Sequence, residues 1–317
     1  MTAETHPQLY ALLDETRMRS ASGLAGLSSV VNEFDSDASG RGDSYRRAQR
    51  DALVRWTGAR RMLTMAMPTG RTGDTTVLDV LGGDGLIARA LAENADQDLA
   101  KVTVLTGDIS GRMVERALAL GMPAVRQAAD HLFLRDASVD AVLMAYGTHH
   151  IEPADRGRAA AEALRVVRPG GRVILHDFEE ASPMARFFRE SVHTYSAAGH
   201  DYRHFSREEM AGLFPSPGAR VRVVDVYDPL VICGSDARTA RRRMCEYVAD
   251  MYGIPRILAG GTDAAWSSLQ ESFDHSSYPP GTAGLPEERR PVVRELNGHY
   301  VAEVPRMAIV AVAEKVR

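Results

Sequence analysis

The chain has 317 residues, 44% apolar and 25% charged, with a formal net charge of −4. This is the composition of a folded globular chain and excludes a disordered one. No apolar run approaches the roughly 18 residues of a membrane span, and the small acidic surplus argues against nucleic acid as a substrate.

The opening MTAETHPQLY has no basic stretch followed by an apolar one, so no secretory signal is expected. The two cysteines, Cys233 and Cys245, suit a reducing compartment, and a cytoplasmic protein is expected. All basic residues except Lys101 and Lys315 are arginines; Arg241-Arg242-Arg243 is expected on the solvated side of a helix.

Helices are predicted over 8–20 and 44–66. The second has Asp43 or Ser44 as its cap and apolar residues at Ala48, Ala52, Leu53 and Trp56. Polar loops are expected over 35–44 and 67–76. Strands and helices then alternate: strand 76–80, helix 86–94, strand 102–105, helix 112–120, strand 140–146, helix 159–167, the turn Pro169-Gly170-Gly171 and strand 172–176. The alternation predicts βαβ units, hence an α/β fold with a doubly wound, mostly parallel sheet whose ligands bind at the carboxyl ends of the strands.

Beyond residue 180, helices are predicted over 183–196, 206–213 and 236–252, a long strand over 220–232, a Gly/Pro/Ser-rich stretch over 254–290 with a short helix at 263–273, and a last strand over 307–316. Residues 235–300 thus separate two strands that would otherwise form a hairpin. They are expected to be a helical insertion covering the active-site face. The organisation expected is a helical lid or dimerisation segment over 1–70, a ligand-binding core over 71–234 and 301–317, and the insertion.

Chemistry concentrates at Val77-Leu78-Asp79-Val80-Leu81-Gly82-Gly83-Asp84-Gly85, where a strand enters a glycine turn and a helix leaves it. Glycine allows close approach of a ligand, and a helix N-terminus offers free N–H groups. The next strand ends in Gly107-Asp108-Ile109-Ser110, placing a carboxylate where it can accept hydrogen bonds from ribose hydroxyls.

From about Val77 to Glu180 the sequence resembles the class I S-adenosylmethionine-dependent methyltransferases. Asp79 to Gly85 follow that family's strand and glycine turn, with Leu81 where the family has its first glycine. DISGRMVERA, ADHLFLRDASVDAV, AYGTHHI and EALRVVRPGGRVILHDF follow its later motifs in order. The resemblance implies a Rossmann-like, seven-stranded sheet with an antiparallel last strand, S-adenosylmethionine as cofactor, and a small-molecule acceptor in specialised-metabolite biosynthesis. Oxygen is the first acceptor atom expected, and carbon the second. It further implies that Asp79, Gly82, Gly83, Gly85, Asp108 and Ile109 hold the cofactor, that Asp130 and His131 lie at its adenine, with Ala128 where the family often has an acid, and that Tyr146 lines the methyl site. Subunits are expected to pair as a homodimer, without nucleic acid or membrane as partner.

A base for the acceptor's proton is expected beyond the strand ending at residue 146. His149 is the first candidate and His150 the second, since an imidazole titrates near neutral pH. Glu179 follows the next strand, with His176, Asp177 and Glu180 beside it, and is the candidate if the acceptor is a carbon acid. His193, His200, Asp201 and His204 are metal-ligating residue types, but Gly199 argues against a helix that would align His200 with His204, and no metal is expected. Two other classes fit the layout less well. A nicotinamide oxidoreductase would want G-x-G-x-x-G, whereas Gly83 and Gly85 are followed by Ala88. A protein that binds the cofactor as a scaffold or helps a cyclisation would need no base.

Overall fold

A computed structural model describes residues 4–20, 27, 34, 42–68, 73–94, 96–197, 199–215 and 217–316. The polar loop expected over 35–44 lies outside them up to residue 41, as do 69–72 of the second expected loop.

Seven strands form the central sheet: β1 (Thr75–Asp79), β2 (Val102–Asp108), β3 (Ala124–Arg126), β4 (Val139–Met144), β5 (Val167–Asp177), β6 (Ala219–Tyr227) and β10 (Met307–Lys315). Their order is β3-β2-β1-β4-β5-β10-β6, parallel except for β10, which runs antiparallel to both neighbours. Register explains why these strands are continuous apolar runs. Val77 pairs with Val104 and Ala141 on one face, and Leu78 pairs with Leu105 and Val142 on the other. Both faces are covered, so both sets of alternating side chains must be apolar. The helix Trp56–Ala66 covers the first face with Ala59, Met62, Leu63 and Ala66. The helix Arg156–Val166 covers the second with Ala159, Ala160 and Ala163. No helix among the described residues is long and apolar enough to cross a membrane.

The N-terminal helices are more broken than predicted. The one expected over 8–20 is two short helices, Pro7–Tyr10 and Glu15–Met18, because Leu13 bridges to Leu134 and Asp14 caps the second, accepting from the Thr16 and Arg17 N–H groups. The one expected over 44–66 divides into Gly42–Ala48, a 3-10 turn Ala52–Arg55 and Trp56–Ala66, with Asp51 extended between. Asp43 and Ser44 therefore lie in the first turn of a helix that has already begun. β5 begins before the Pro-Gly-Gly turn and absorbs it as an irregularity against β4, where a Cβ on Gly171 would lie 2.4 Å from the Asp140 carbonyl oxygen.

The long strand predicted over 220–232 is two strands in two sheets. Asp228-Pro229 ends β6, and β7 (Leu230–Gly234) joins β9 (His299–Val304) and β8 (Val292–Leu296) in an antiparallel sheet of order β7-β9-β8. Residues 235–300 are therefore not only helical. They carry the helices Ala237–Tyr252 and Gly261–Ser272 and most of a hairpin turning at Asn297-Gly298, both at positive φ. Chain exit and return are clasped: the Asp228 N–H donates to the Arg306 carbonyl, and the buried Arg306 guanidinium pairs with the Asp228 carboxylate at 2.6 Å. Arg306→Met leaves a buried, underpaired carboxylate and is expected to cost about 3–5 kcal/mol. The midpoint of urea unfolding measures this. Adding Asp228→Leu should recover most of the loss; equal stability of wild type and Arg306→Met contradicts it.

Candidate active site

Where strand order reverses between β1 and β4, crossovers diverge and leave a crevice at the carboxyl ends. A cavity of about 480 Å³ occupies it. Its wall passes from Asp108 at the tip of β2, past Val80 and Leu81 after β1 and Tyr146 after β4, to Asp177 at the tip of β5. β2 and β5 are three strand spacings apart, or roughly 14 Å. The insertion contributes Met251 and Tyr252, and the N-terminal segment contributes Phe34, Tyr45 and Arg55.

At the β2 end the glycine turn and the acid are tied together. One Asp108 oxygen accepts the Gly83 N–H at 2.8 Å and the other accepts the Ser110 N–H at 2.8 Å. Gly83 and Gly85 take positive φ, and a Cβ on Gly82 would meet the Thr106 methyl at 2.8 Å. Gly83, Asp108 and Ile109 line the cavity, whereas Gly82 and Gly85 pack beneath the turn. Leu81 is in the wall at the position where the sequence motif suggested glycine.

Asp79 does not line the cavity; it is buried under the turn. Burial, then the charge of Asp108, push its carboxyl up to about 8, against the Leu81 N–H and Arg55. A carboxyl whose folded pKa lies above its unfolded value contributes stability that is full below about pH 4 and is lost as pH rises through about 8. Asp79→Asn is therefore expected to gain stability over wild type as pH goes from 5 to 9, by up to about 1.4 kcal/mol per pH unit. Denaturant melts across that range test this, and parallel pH profiles rule it out.

Asp130 lines the cavity and pairs with Arg158 at 3.0 Å. The His131 ring lies against Ser20, with Nε2 3.1 Å from its hydroxyl, and His131 is not in the cavity lining. Tyr146 lies in the wall in the left-handed region (φ 61) and donates its hydroxyl to Asp228 at 3.0 Å. A non-glycine residue held there costs strain, and such outliers gather at functional sites.

At the β5 end Asp177 is the hub. Its carboxylate accepts from the Thr148 hydroxyl, the His149 N–H (2.7 Å), the Phe178 N–H (2.7 Å), His149 Nδ1 (2.9 Å) and His204 Nδ1 (2.9 Å). Burial would raise this carboxyl, but the His149 and His204 imidazoles outweigh it and hold it well below the ordinary carboxylate range. An ionised carboxylate only accepts, so the His149 proton sits on Nδ1 and Nε2 is the basic nitrogen of the neutral ring. His149 and His150 both line the cavity. Glu179 does not line it and pairs with Arg207 at 3.0 Å.

Sequence reasoning missed Arg55 and gave Asp177 and His200 no part in this site. Asp177 was only a neighbour of Glu179. His200 is brought beside His149, with ring centroids 5.1 Å apart, although residues 199 and 200 are not helical. Arg55 is buried in the cavity wall between the hydroxyls of Tyr45 (3.4 Å) and Tyr247 (3.3 Å), and among the described residues it pairs with no carboxylate. A charged residue inside the apolar run Leu53-Val54-Arg55-Trp56 was the available signal.

Residues 78–175 match the family model of a methyltransferase domain. The ubiquinone/menaquinone biosynthesis C-methyltransferase UbiE of Brucella anthropi is 34% identical over 142 residues, covering 42% of this chain and 48% of that protein. The protein of the same description from Brucella abortus is 36% identical over 142 residues, covering 42% and 47%. The chain spans about half the length of the curated relatives it matches. Among solved structures, the YcgJ protein from Bacillus subtilis has a similar fold, with a TM-score of 0.50 at 19% identity over 82% of this chain and 98% of that one. A chain from the complex of the Haloferax volcanii Trm112 methyltransferase activator with a methyltransferase matches with a TM-score of 0.50 at 18% identity, over 91% and 100%. Strand order, glycine turn and the matched residues 78–175 agree in making this part of the chain similar to a methyltransferase domain.

Proposed function

We propose that the protein is a cytoplasmic enzyme that methylates a small acceptor carrying an ionisable hydroxyl, a phenol or an enol, in the biosynthesis of a specialised metabolite. One observation carries this reading: a single cavity joins the Asp108–Gly83 pair at one end to the His149–Asp177 pair at the other.

The residues present fit S-adenosylmethionine. Asp108 offers a carboxylate to a ribose, Ile109 and Met113 flank it with apolar surface, and Arg55 is a buried cation suited to the methionine carboxylate. When bound, the cofactor supplies a methyl group already activated by its sulfonium. The chain's own task is then alignment and proton removal. Tyr146 and Leu81 wall the middle of the cavity, Tyr202, Met251 and Tyr252 enclose the acceptor end, and the acceptor's proton is given up at His149. Loss of that proton makes the oxygen nucleophilic and, in a phenol or enol, the adjacent carbon too. Carbon is the second reading, favoured by the name of the Brucella relatives.

The test is incubation with S-adenosylmethionine and a panel of phenols, quinols and β-dicarbonyls, followed by mass spectrometry and NMR of the product. A product heavier by one methylene unit supports the reading, and NMR assigns oxygen or carbon. Tight S-adenosylhomocysteine binding with no product from any hydroxyl acceptor rejects the acceptor class; no cofactor binding rejects the whole.

A further inference from the structure

We propose that His149, His150 and His200 form a site for a divalent first-row transition metal ion at the acceptor end of the cavity. One ring nitrogen from each lies within 4.8 Å of the other two. Three imidazoles on a tetrahedral ion, bound at about 2.1 Å, stand about 3.4 Å apart, so ring movements of about 1 Å complete the site. Nitrogen donors favour zinc, cobalt, iron or nickel over magnesium, which prefers oxygen.

The surroundings already orient the three rings. Asp177 accepts a hydrogen bond from His149 Nδ1–H at 2.9 Å, as carboxylates do for metal-bound imidazoles. The His200 backbone N–H donates to His193 Nδ1 at 3.1 Å, and the His200 ring stacks on Phe188 with centroids 4.4 Å apart. Tyr202 packs on His150 at 4.3 Å. A second grouping, His149, Asp177 and His204, is also compact, but there both imidazoles are already bonded to Asp177. There the carboxylate would have to exchange both imidazole hydrogen bonds for the ion, whereas His149, His150 and His200 supply three imidazoles without it.

His149 and His150 line the cavity, so the ion borders the acceptor. Its role rests on the methyl-transfer reading and deepens it. The acceptor's hydroxyl oxygen binds the ion, the O–H bond breaks with its electron pair staying on oxygen, and the proton passes to water. No electron changes hands. His149 then acts through the ion, with the lone pair that would otherwise receive the proton.

The metal-free 317-residue chain is titrated with Co²⁺ and followed by visible absorption, with Zn²⁺ and Mg²⁺ as competitors. S-adenosylhomocysteine binding is measured on the same preparations. One Co²⁺ per chain is expected, displaced by Zn²⁺ but not by Mg²⁺. His150→Gln and His200→Gln should each weaken it by about 100-fold. His200→Cys should keep Zn²⁺ and give Co²⁺ a near-ultraviolet thiolate band, which a merely structural histidine would not. Absence of stoichiometric Co²⁺ uptake by wild type overturns the proposal, as does unchanged Co²⁺ affinity in both Gln variants with native circular dichroism. Co²⁺ binding without S-adenosylhomocysteine binding upholds the ion site and rejects the methyl-transfer reading; the reverse rejects the ion site alone.

Discussion

Asp108→Ala is expected to weaken S-adenosylhomocysteine binding by about 100- to 1,000-fold, or about 2.7–4.1 kcal/mol. Hydrogen bonds to a charged acceptor are worth about 1.5–3 kcal/mol each, and a ribose diol offers two. The same substitution releases the Gly83 and Ser110 N–H groups, loosening the glycine turn and the start of the helix Gly111–Ala119 together. Asp108→Asn should lose less, because its amide oxygen can still accept one of these bonds. Calorimetric titration measures both, with thermal melting as the check on folding. A Kd within about threefold of wild type in Asp108→Ala would remove this carboxylate from the binding site.

Asp177→Asn should act at the opposite end of the cavity and on a different quantity. We expect kcat to fall by about 10²- to 10⁴-fold while S-adenosylhomocysteine affinity holds, as when the carboxylate orienting a catalytic histidine is replaced by an amide. An amide has one accepting oxygen and a donating nitrogen, so it cannot receive both the His149 and His204 ring protons. The His149 proton then moves to Nε2, the nitrogen needed at the cavity. Asp177 is thus a positioning residue. His149→Gln should be equally damaging, and the double variant no worse than either single, because residues acting as one unit are non-additive. Multiplicative losses in the double variant, or a loss of cofactor affinity matching the loss of rate, would contradict this.

The part of the molecule between β1 and β5 was largely legible in the sequence. Parallel strands covered on both faces must be apolar throughout, and Val77-Leu78 and Val102–Leu105 announce themselves in that way. β3 escaped because three residues carry too little pattern. The β8–β9 hairpin escaped although Asn297-Gly298 is a strong local turn signal, since the surrounding Gly/Pro/Ser-rich composition drew the reading towards loop. The break at Asp228-Pro229 depends on a partner far along the chain, Arg306, and so is a tertiary property. Site residues divide in the same way. Gly83, Asp108 and His149 stand at strand ends that a local motif locates, whereas Arg55 reaches the cavity, and His200 the His149 ring, from segments whose placement only the packed core decides.

The clasp between Asp228 and Arg306 brings the two ends of the accessory unit together at one point of the central sheet. Everything from β7 to β9 departs from one sheet position and comes back beside it, so its two ends are separated only by adjacent-strand spacing, about 4.8 Å. A replacement whose own termini meet at that distance could be grafted there without touching β1, β2 or their turn.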